Sequence, residues 1–182
     1  MGVTQVYAFE PPERFVAGTV GVPGERTFFL QARGGGRVVS VALEKVQMSL
    51  LAEKLEELLA EAQRRFDLTL PDAPTGAEDN EPLETPLDEE FRVGTLGLAW
   101  DEENGTVVIE AIAIGEYESE EPTEDELAEL DRLRVRLTPA ATRAFIARAK
   151  KVVAAGRPPC PLCGQPLDPA GHLCPRHNGY RR

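Results

Sequence analysis

The fold is decided by residues 37–66, which read RVVSVALEKVQMSLLAEKLEELLAEAQRRF, because a strand pattern changes there into a helix pattern. The run from Val38 to Leu43 partly alternates, as expected of a strand with one buried face. From about Val46 to Phe66 the apolar residues recur instead with a helical period of about 3.6. They are Leu50, Leu51, Leu55, Leu58, Leu59, Ala62 and Phe66. This succession predicts a helix that packs its leucine face across a sheet.

The residues before this stretch predict strands at 5–10, 14–20, 27–33 and 37–43, separated by proline and glycine clusters. Short β-prone runs with this punctuation favour an antiparallel meander. After it, the Asn104-Gly105 pair between β-prone runs 91–100 and 106–115 predicts a hairpin. Residues 116–131 are acidic and are expected to form a loop or an exposed helix.

A last strand at 132–137 leads into Thr138-Pro139, which favours a capped helix start. This order predicts the α+β class: two layers, with a mainly antiparallel sheet of about six or seven strands and two main helices. Residues 1–157 form the α+β domain, in which the proline-rich and acidic residues 71–90 are a surface loop. Residues 158–182 form a separate zinc-knuckle-like tail.

Charge is distributed very unevenly along the 182 residues. Residues 1–50 carry +1, residues 51–130 carry −21 and residues 131–182 carry +9, for a net charge of −11. The total argues against a general nucleic-acid-binding protein. No segment is long and apolar enough to span a membrane, and no secretory signal is evident, so we expect no membrane insertion.

All cysteines and histidines of the chain lie within residues 160–177. Cys160 and Cys163 form a Cys-x-x-Cys pair followed by glycine, and Cys174 is a third thiol in the same segment. Thiolates at this spacing suit tetrahedral zinc. The fourth ligand is either His172, two residues before Cys174, or His177, three residues after it. Four protein ligands leave no open position, so the predicted zinc is structural.

A disulfide or a redox-active pair would account for the cysteines less well than zinc does. A disulfide would leave one of the three cysteines over, and no export signal indicates an oxidising compartment. A redox Cys-x-x-Cys pair prefers the start of a helix, whereas this pair is surrounded by Pro158, Pro159 and Pro161.

Basic residues are sparse in the first hundred positions. Arg14, Arg33 and Arg92 lie on predicted strands and would bind an anion or a phosphate if they converged on one face of the sheet. The alternative is that each forms an ion pair with one of the abundant carboxylates. No nucleophile elbow or metalloprotease motif is present, and no histidine lies in the main domain to act as a general base.

Several segments together resemble a known family. They are FEPPERFVAGTVG at 9–21, RTFFLQAR at 26–33, VSVALEK at 39–45, EFRVG at 90–94 and the tail from Gly156 to Arg182. They resemble an uncharacterised actinobacterial family, domain of unknown function 3090, over nearly the whole chain. The resemblance implies a cytoplasmic protein and brings no catalytic residues with it. The family's tail is similar to Gly-His-x-Cys followed by Asn-Gly-Tyr, which implies Cys160, Cys163, His172 and Cys174 as the ligands, with His177 as the alternative.

The function predicted from these observations is a zinc-stabilised binding or adaptor protein with a protein or small-molecule partner. A second hypothesis is an enzyme acting on a phosphorylated small molecule, because the resembling family is often encoded beside phosphatase-like and kinase-like proteins. A third is nucleic-acid binding by the basic tail, through Arg176, Tyr180, Arg181 and Arg182. Repulsion by the acidic remainder of the chain opposes that third role.

Overall fold

The computed structural model describes residues 4–22, 24–70, 79–115 and 121–155. Seven strands in this part of the chain form one mixed sheet. They are β1 (Val6–Phe9), β2 (Arg14–Val20), β3 (Thr27–Gly34), β4 (Arg37–Leu43), β5 (Glu89–Asp101), β6 (Thr106–Ala113) and β7 (Arg132–Leu137). Their spatial order is β1-β7-β6-β5-β4-β3-β2. The α+β class is therefore confirmed, and so is the expected number of strands.

The expected meander of the first four strands is wrong for β1. Strands β2, β3 and β4 do pair antiparallel with one another, but β1 pairs in parallel with β7 at the opposite edge of the sheet. Backbone pairing of Val6 with Arg132 and Phe9 with Val135 sets this register. A second parallel pair joins β4 to β5. Local strand patterns do not reveal such distant pairing, because both edges offer the same unpaired backbone groups.

Within the described ranges, three helices accompany the sheet: α1 (Lys45–Arg65), α2 (Glu124–Ala128) and α3 (Pro139–Ala154). The two long ones are those predicted, and α2 is a short helix within the acidic stretch. The leucine face of α1 is buried as expected at Leu51, Leu55 and Leu59, but Leu50 is 48% exposed. Leu50 falls outside the buried stripe, because Met48 and Ala52, each two residues away, lie on nearly the opposite side of the helix and are buried.

The core lies between the two long helices and the sheet. The rings of Phe15 on β2 and Phe145 on α3 stack with centroids 4.7 Å apart. At the start of α3 the predicted cap is confirmed, because the Thr138 hydroxyl accepts a hydrogen bond from the Ala141 N–H at 3.1 Å. The predicted hairpin joins β5 to β6, and Gly105 has a φ of 60°. That φ suits glycine, which has no Cβ to clash.

Of the predicted acidic loop 71–90, residues 79–88 have neither helix nor strand and pack against β2 and β3, whereas Glu89 and Glu90 already belong to β5. Gln31 follows Leu30 in β3 and is only 2% exposed. Its side chain donates to the Glu84 carbonyl at 3.0 Å and accepts from the Glu84 N–H at 2.8 Å. Leu83 occupies the space beside Gly18, where a Cβ would lie only 2.5 Å from the Leu83 side chain. We call residues 79–88 the cover segment.

No helix within the described ranges combines the length and the apolar character needed to cross a lipid bilayer.

Candidate functional site

The proposed metal ligands Cys160, Cys163, His172 and Cys174, together with the alternative His177, lie outside the described residues. Within residues 4–22, 24–70, 79–115 and 121–155, no three Cys, His, Asp or Glu side chains are arranged to hold a metal ion. The zinc site therefore stays a prediction from the sequence.

The structure brings two of the three predicted arginines together. Arg14 on β2 and Arg33 on β3 are paired across the two strands, so their side chains lie on the same face of the sheet. Both line a shallow depression of about 550 Å³ whose other wall is the cover segment. The contacts of each arginine decide whether this depression can bind an anion.

Arg14 is fully engaged with the protein. Its Nε lies 2.6 Å from Asp79 Oδ2, and its Nη2 donates to the carbonyls of Glu81 at 2.9 Å and Pro82 at 3.0 Å. The side chain is only 9% exposed. The hydrogen bond to Asp79 raises the pKa of Arg14. These contacts hold the cover segment on β2 and leave few donors for a ligand.

Asp79 also accepts a hydrogen bond from a second arginine, which lies on a helix beside the edge of the sheet. Arg148 on α3 has Nη1 3.2 Å from Asp79 Oδ1 and donates from Nε to the Ala17 carbonyl of edge strand β2 at 2.7 Å. The hydrogen bond from Arg14 lowers the pKa of Asp79, and burial lowers the pKa of Arg148. We call Arg14, Asp79 and Arg148 the β2-edge cluster. It joins a strand, a helix and the cover segment.

The two partners of Asp79 respond differently because their surroundings differ. The hydrogen bond to Asp79 is the main influence on the pKa of Arg14 and raises it. Desolvation is the main influence on the pKa of Arg148 and lowers it, and the nearby charge of Arg14 acts in the same direction. Both guanidinium groups stay protonated, because arginine does not lose its proton in proteins. The cluster is therefore two cations held by one ionised carboxylate.

Arg33 is half exposed but is also paired with carboxylates. It forms an ion pair with Glu84 of the cover segment, and its Nε lies 3.8 Å from Glu13 Oε2. At Arg14 and Arg33 the structure thus shows ion pairs with local carboxylates. An anion at this depression would have to displace Glu84 from Arg33.

Arg92 does not join the other two arginines. It lies on β5 opposite Ala42 of β4, is 47% exposed, and has Nη1 3.4 Å from Glu44 Oε1. Arg26 and Lys45 share a pocket with it. The three arginines that were expected to form one anion site, Arg14, Arg33 and Arg92, are therefore divided between two places on the sheet.

Sequence reasoning missed a row of arginines on β7. Arg132, Arg134 and Arg136 alternate with buried Leu133, Val135 and Leu137. Glu110 Oε2 lies 3.3 Å from both Arg132 and Arg134, and Arg136 pairs with Asp101. The Arg-Leu-Arg-Val-Arg-Leu alternation itself predicts that all three arginines share one face.

Asp101, where β5 ends, is held by its own turn as well as by Arg136. Its Oδ2 accepts from the Asn104 side chain at 2.8 Å, and its Oδ1 accepts from the Asn104 N–H at 3.2 Å. The side-chain hydrogen bond from Asn104 is the main reason that the pKa of Asp101 is lowered. Asp101 thus stabilises the hairpin.

The chain matches a known protein family. A family model described as "Protein of unknown function (DUF3090)" matches residues 7–174. The matched range contains Arg14, Arg33 and Arg92, and it reaches Cys174. Comparisons with curated proteins and with solved structures gave no match.

Proposed function

Since the chain belongs to the DUF3090 family of proteins of unknown function, its role has to come from its own residues, and we propose that it is a zinc-stabilised binding or adaptor protein. The α+β domain supplies the binding surface. The tail holds a structural zinc through Cys160, Cys163, His172 and Cys174.

The observation that carries this proposal is the donor set of the tail. Three thiols and two imidazoles, all that the chain possesses, fall within residues 160–177. Sulfur and imidazole nitrogen are the ligands that zinc prefers in closed tetrahedral sites. A segment of this size cannot bury a core of its own, so metal binding would supply its folding free energy.

The chemistry of the main domain supports binding more than catalysis. Residues 1–157 contain no cysteine and no histidine, so neither a thiol nucleophile nor an imidazole base comes from them. Hydrogen bonds shift the pKa values of Asp79 and Asp101 downwards. A general acid at neutral pH needs the opposite shift. These carboxylates hold the structure together.

A zinc site with three thiolates also supports a cytoplasmic location. Thiols stay reduced in the cytosol, whereas exported proteins convert such pairs to disulfides.

Elemental analysis of the purified full-length protein tests the zinc. We expect about one zinc per chain and its loss in Cys160→Ser, because each thiolate is needed for the closed site. His172→Ala should release the metal, whereas His177→Ala, the matched control, should keep it. If His172→Ala keeps the metal and His177→Ala loses it, then His177 is the fourth ligand instead of His172. A purified protein that contains no metal and is fully stable would contradict the zinc proposal.

Affinity capture with the full-length protein as bait tests the binding role. The same preparation is then screened for enzymatic activity. Reproducible capture of one protein or metabolite is the expected result. Turnover of a metabolite with no reproducible captured partner would contradict a non-enzymatic role.

A further inference from the structure

A small polar pocket lies where β4 ends and α1 begins. Its volume is about 240 Å³, and its walls come from the start of β3, the β4–α1 junction and β5. Strands β4 and β5 are parallel and are connected through α1. The pocket lies beyond the carboxyl end of β4, and Arg92 lines it from the first residues of β5, where that strand pairs with Ala42 of β4.

Three cations line this pocket, and we call Arg26, Lys45 and Arg92 the α1 pocket cations. Within the described ranges, Lys45 has no hydrogen bond or ion pair. Arg92 has one long contact, to Glu44. Three positive side chains next to a single carboxylate leave two positive charges uncompensated in the pocket.

Arg26 is already held in position. Its guanidinium carbon lies 5.0 Å from the centre of the Phe28 ring, and its Nη1 donates to the Val152 carbonyl at 3.1 Å. Stacking on the ring and one hydrogen bond fix the plane of the guanidinium, which carries further N–H donors. A ligand therefore meets a cation that loses little conformational freedom on binding.

Gln47 fixes the wall between the other two cations. Its Oε1 accepts from the Glu44 N–H at 2.7 Å, and its Nε2 donates to the Val93 carbonyl at 3.1 Å. These bonds connect the start of α1 to β5 next to Arg92. The backbone that carries Lys45 is thereby positioned relative to the backbone that carries Arg92.

We propose that the α1 pocket cations bind the phosphate group of a small phosphomonoester. Two uncompensated positive charges match a phosphomonoester, which carries a charge of about −1.5 to −2 at neutral pH. The pocket is smaller than the roughly 300–1,000 Å³ typical of sites for drug-sized ligands, so it fits the phosphate and a short attached group. Planar guanidinium donors with a lysine charge are a common phosphate-binding combination.

This assignment rests on the proposed binding role, because it names the class of ligand that is bound. It does not depend on zinc. Of the anion site expected at Arg14, Arg33 and Arg92, it keeps only Arg92, because Arg14 and Arg33 are paired with carboxylates of the protein.

Isothermal titration calorimetry on the full-length protein tests the assignment, with inorganic phosphate and glycerol 3-phosphate as probes. Glycerol and sodium chloride at equal ionic strength are the negative controls. Lys45→Ala and Arg92→Ala should each weaken binding of both probes by about tenfold, since each loses a charge-assisted contact. Lys54→Ala is the matched control, because Lys54 is an exposed lysine of the same helix that pairs with Glu57. Circular dichroism of each variant checks that the fold is kept.

Tighter binding of glycerol 3-phosphate than of inorganic phosphate supports a phosphomonoester, and the reverse order would overturn that ligand class. No binding of either probe, or equal loss in Lys54→Ala and Lys45→Ala, would overturn the site. Release of inorganic phosphate from glycerol 3-phosphate would support the site but contradict the proposed non-enzymatic role. The two proposals can therefore fail separately.

Discussion

The β2-edge cluster and the α1 pocket both gather arginines on one sheet, yet they use them in different ways. In the first, Arg14 and Arg148 are 9% and 12% exposed and direct their donors at Asp79 and backbone carbonyls. In the second, Arg92 is 47% exposed and Lys45 is unpaired in the described ranges. A cation whose donors are all used by the protein stabilises the fold, whereas a cation with free donors in a concavity is available to a ligand.

The largest effect should come from Asp79→Asn, which removes the only negative charge of the β2-edge cluster. Two mostly buried guanidinium groups then lose their counter-charge, and we expect the free energy of unfolding to fall by about 2–3 kcal/mol. Urea denaturation measures this. Glu57→Gln, which breaks the exposed pair with Lys54, is the control and should change stability by less than about 0.5 kcal/mol. An equal loss in the free energy of unfolding for both variants would contradict a structural role of the cluster.

Gly94→Ala should have the next largest effect, because Gly94, two residues after Arg92, lies against the backbone of Ile114. An added Cβ would lie 2.8 Å from the Ile114 Cα, so backbone must move, at a cost of about 1–2 kcal/mol. Thermal unfolding measures the loss. Gly97→Ala on the same strand is the control, since its Cβ would meet Glu110 at an ordinary 3.9 Å. A larger loss for Gly97→Ala would mean that β5 and β6 are not packed as described.

The stability supplied by Asp79 should depend on pH. Its pKa is lowered in the folded protein by the hydrogen bond from Arg14, so its contribution is complete above the unfolded-state value of about 3.9 and is lost as pH falls through the folded value. The stability difference between wild type and Asp79→Asn should therefore shrink below about pH 4. Denaturation curves over a descending pH series measure it. A difference that stays constant into strong acid would contradict the ion pair.

The smallest effect should be that of Arg92→Ala on stability. Its contact with Glu44 is long and exposed, so the free energy of unfolding should change by less than about 0.5 kcal/mol. Chemical denaturation beside Asp79→Asn gives the direct comparison. A loss as large as that of Asp79→Asn would make Arg92 a structural residue and would end the distinction between the two clusters.

Local signals in the sequence predict most of the elements. Thr138-Pro139, Asn104-Gly105 and the leucine stripe of α1 each act through neighbours within a few residues, so the chain itself carries the information. The pairing of β1 with β7 escapes such signals because it joins residues more than a hundred positions apart. Separations of 65 and 69 residues likewise explain why Asp79 is not recognisable from the sequence as the partner of Arg14 and Arg148.

The candidate sites divide in the same way. The zinc site of the tail stays a prediction, which the sequence alone can make because its candidate ligands are close together, and the alternation of the β7 arginines is equally visible in the sequence. The α1 pocket could not be predicted, since Arg26, Lys45 and Arg92 are brought together only by the pairing of β3, β4 and β5. The scarcity of cations points to Arg92 as a candidate, but it does not reveal which side chains surround it.

The distinction between the β2-edge cluster and the α1 pocket is tested most directly by nuclear magnetic resonance. Amide proton–nitrogen correlation spectra of isotope-labelled protein are recorded during titration with glycerol 3-phosphate. We predict that the largest shifts fall on the amides of Arg26, Lys45 and Arg92, with little change at Arg14 and Arg148. Shifts concentrated at Arg14, Arg33 and the cover segment, with none around the start of α1, would contradict it.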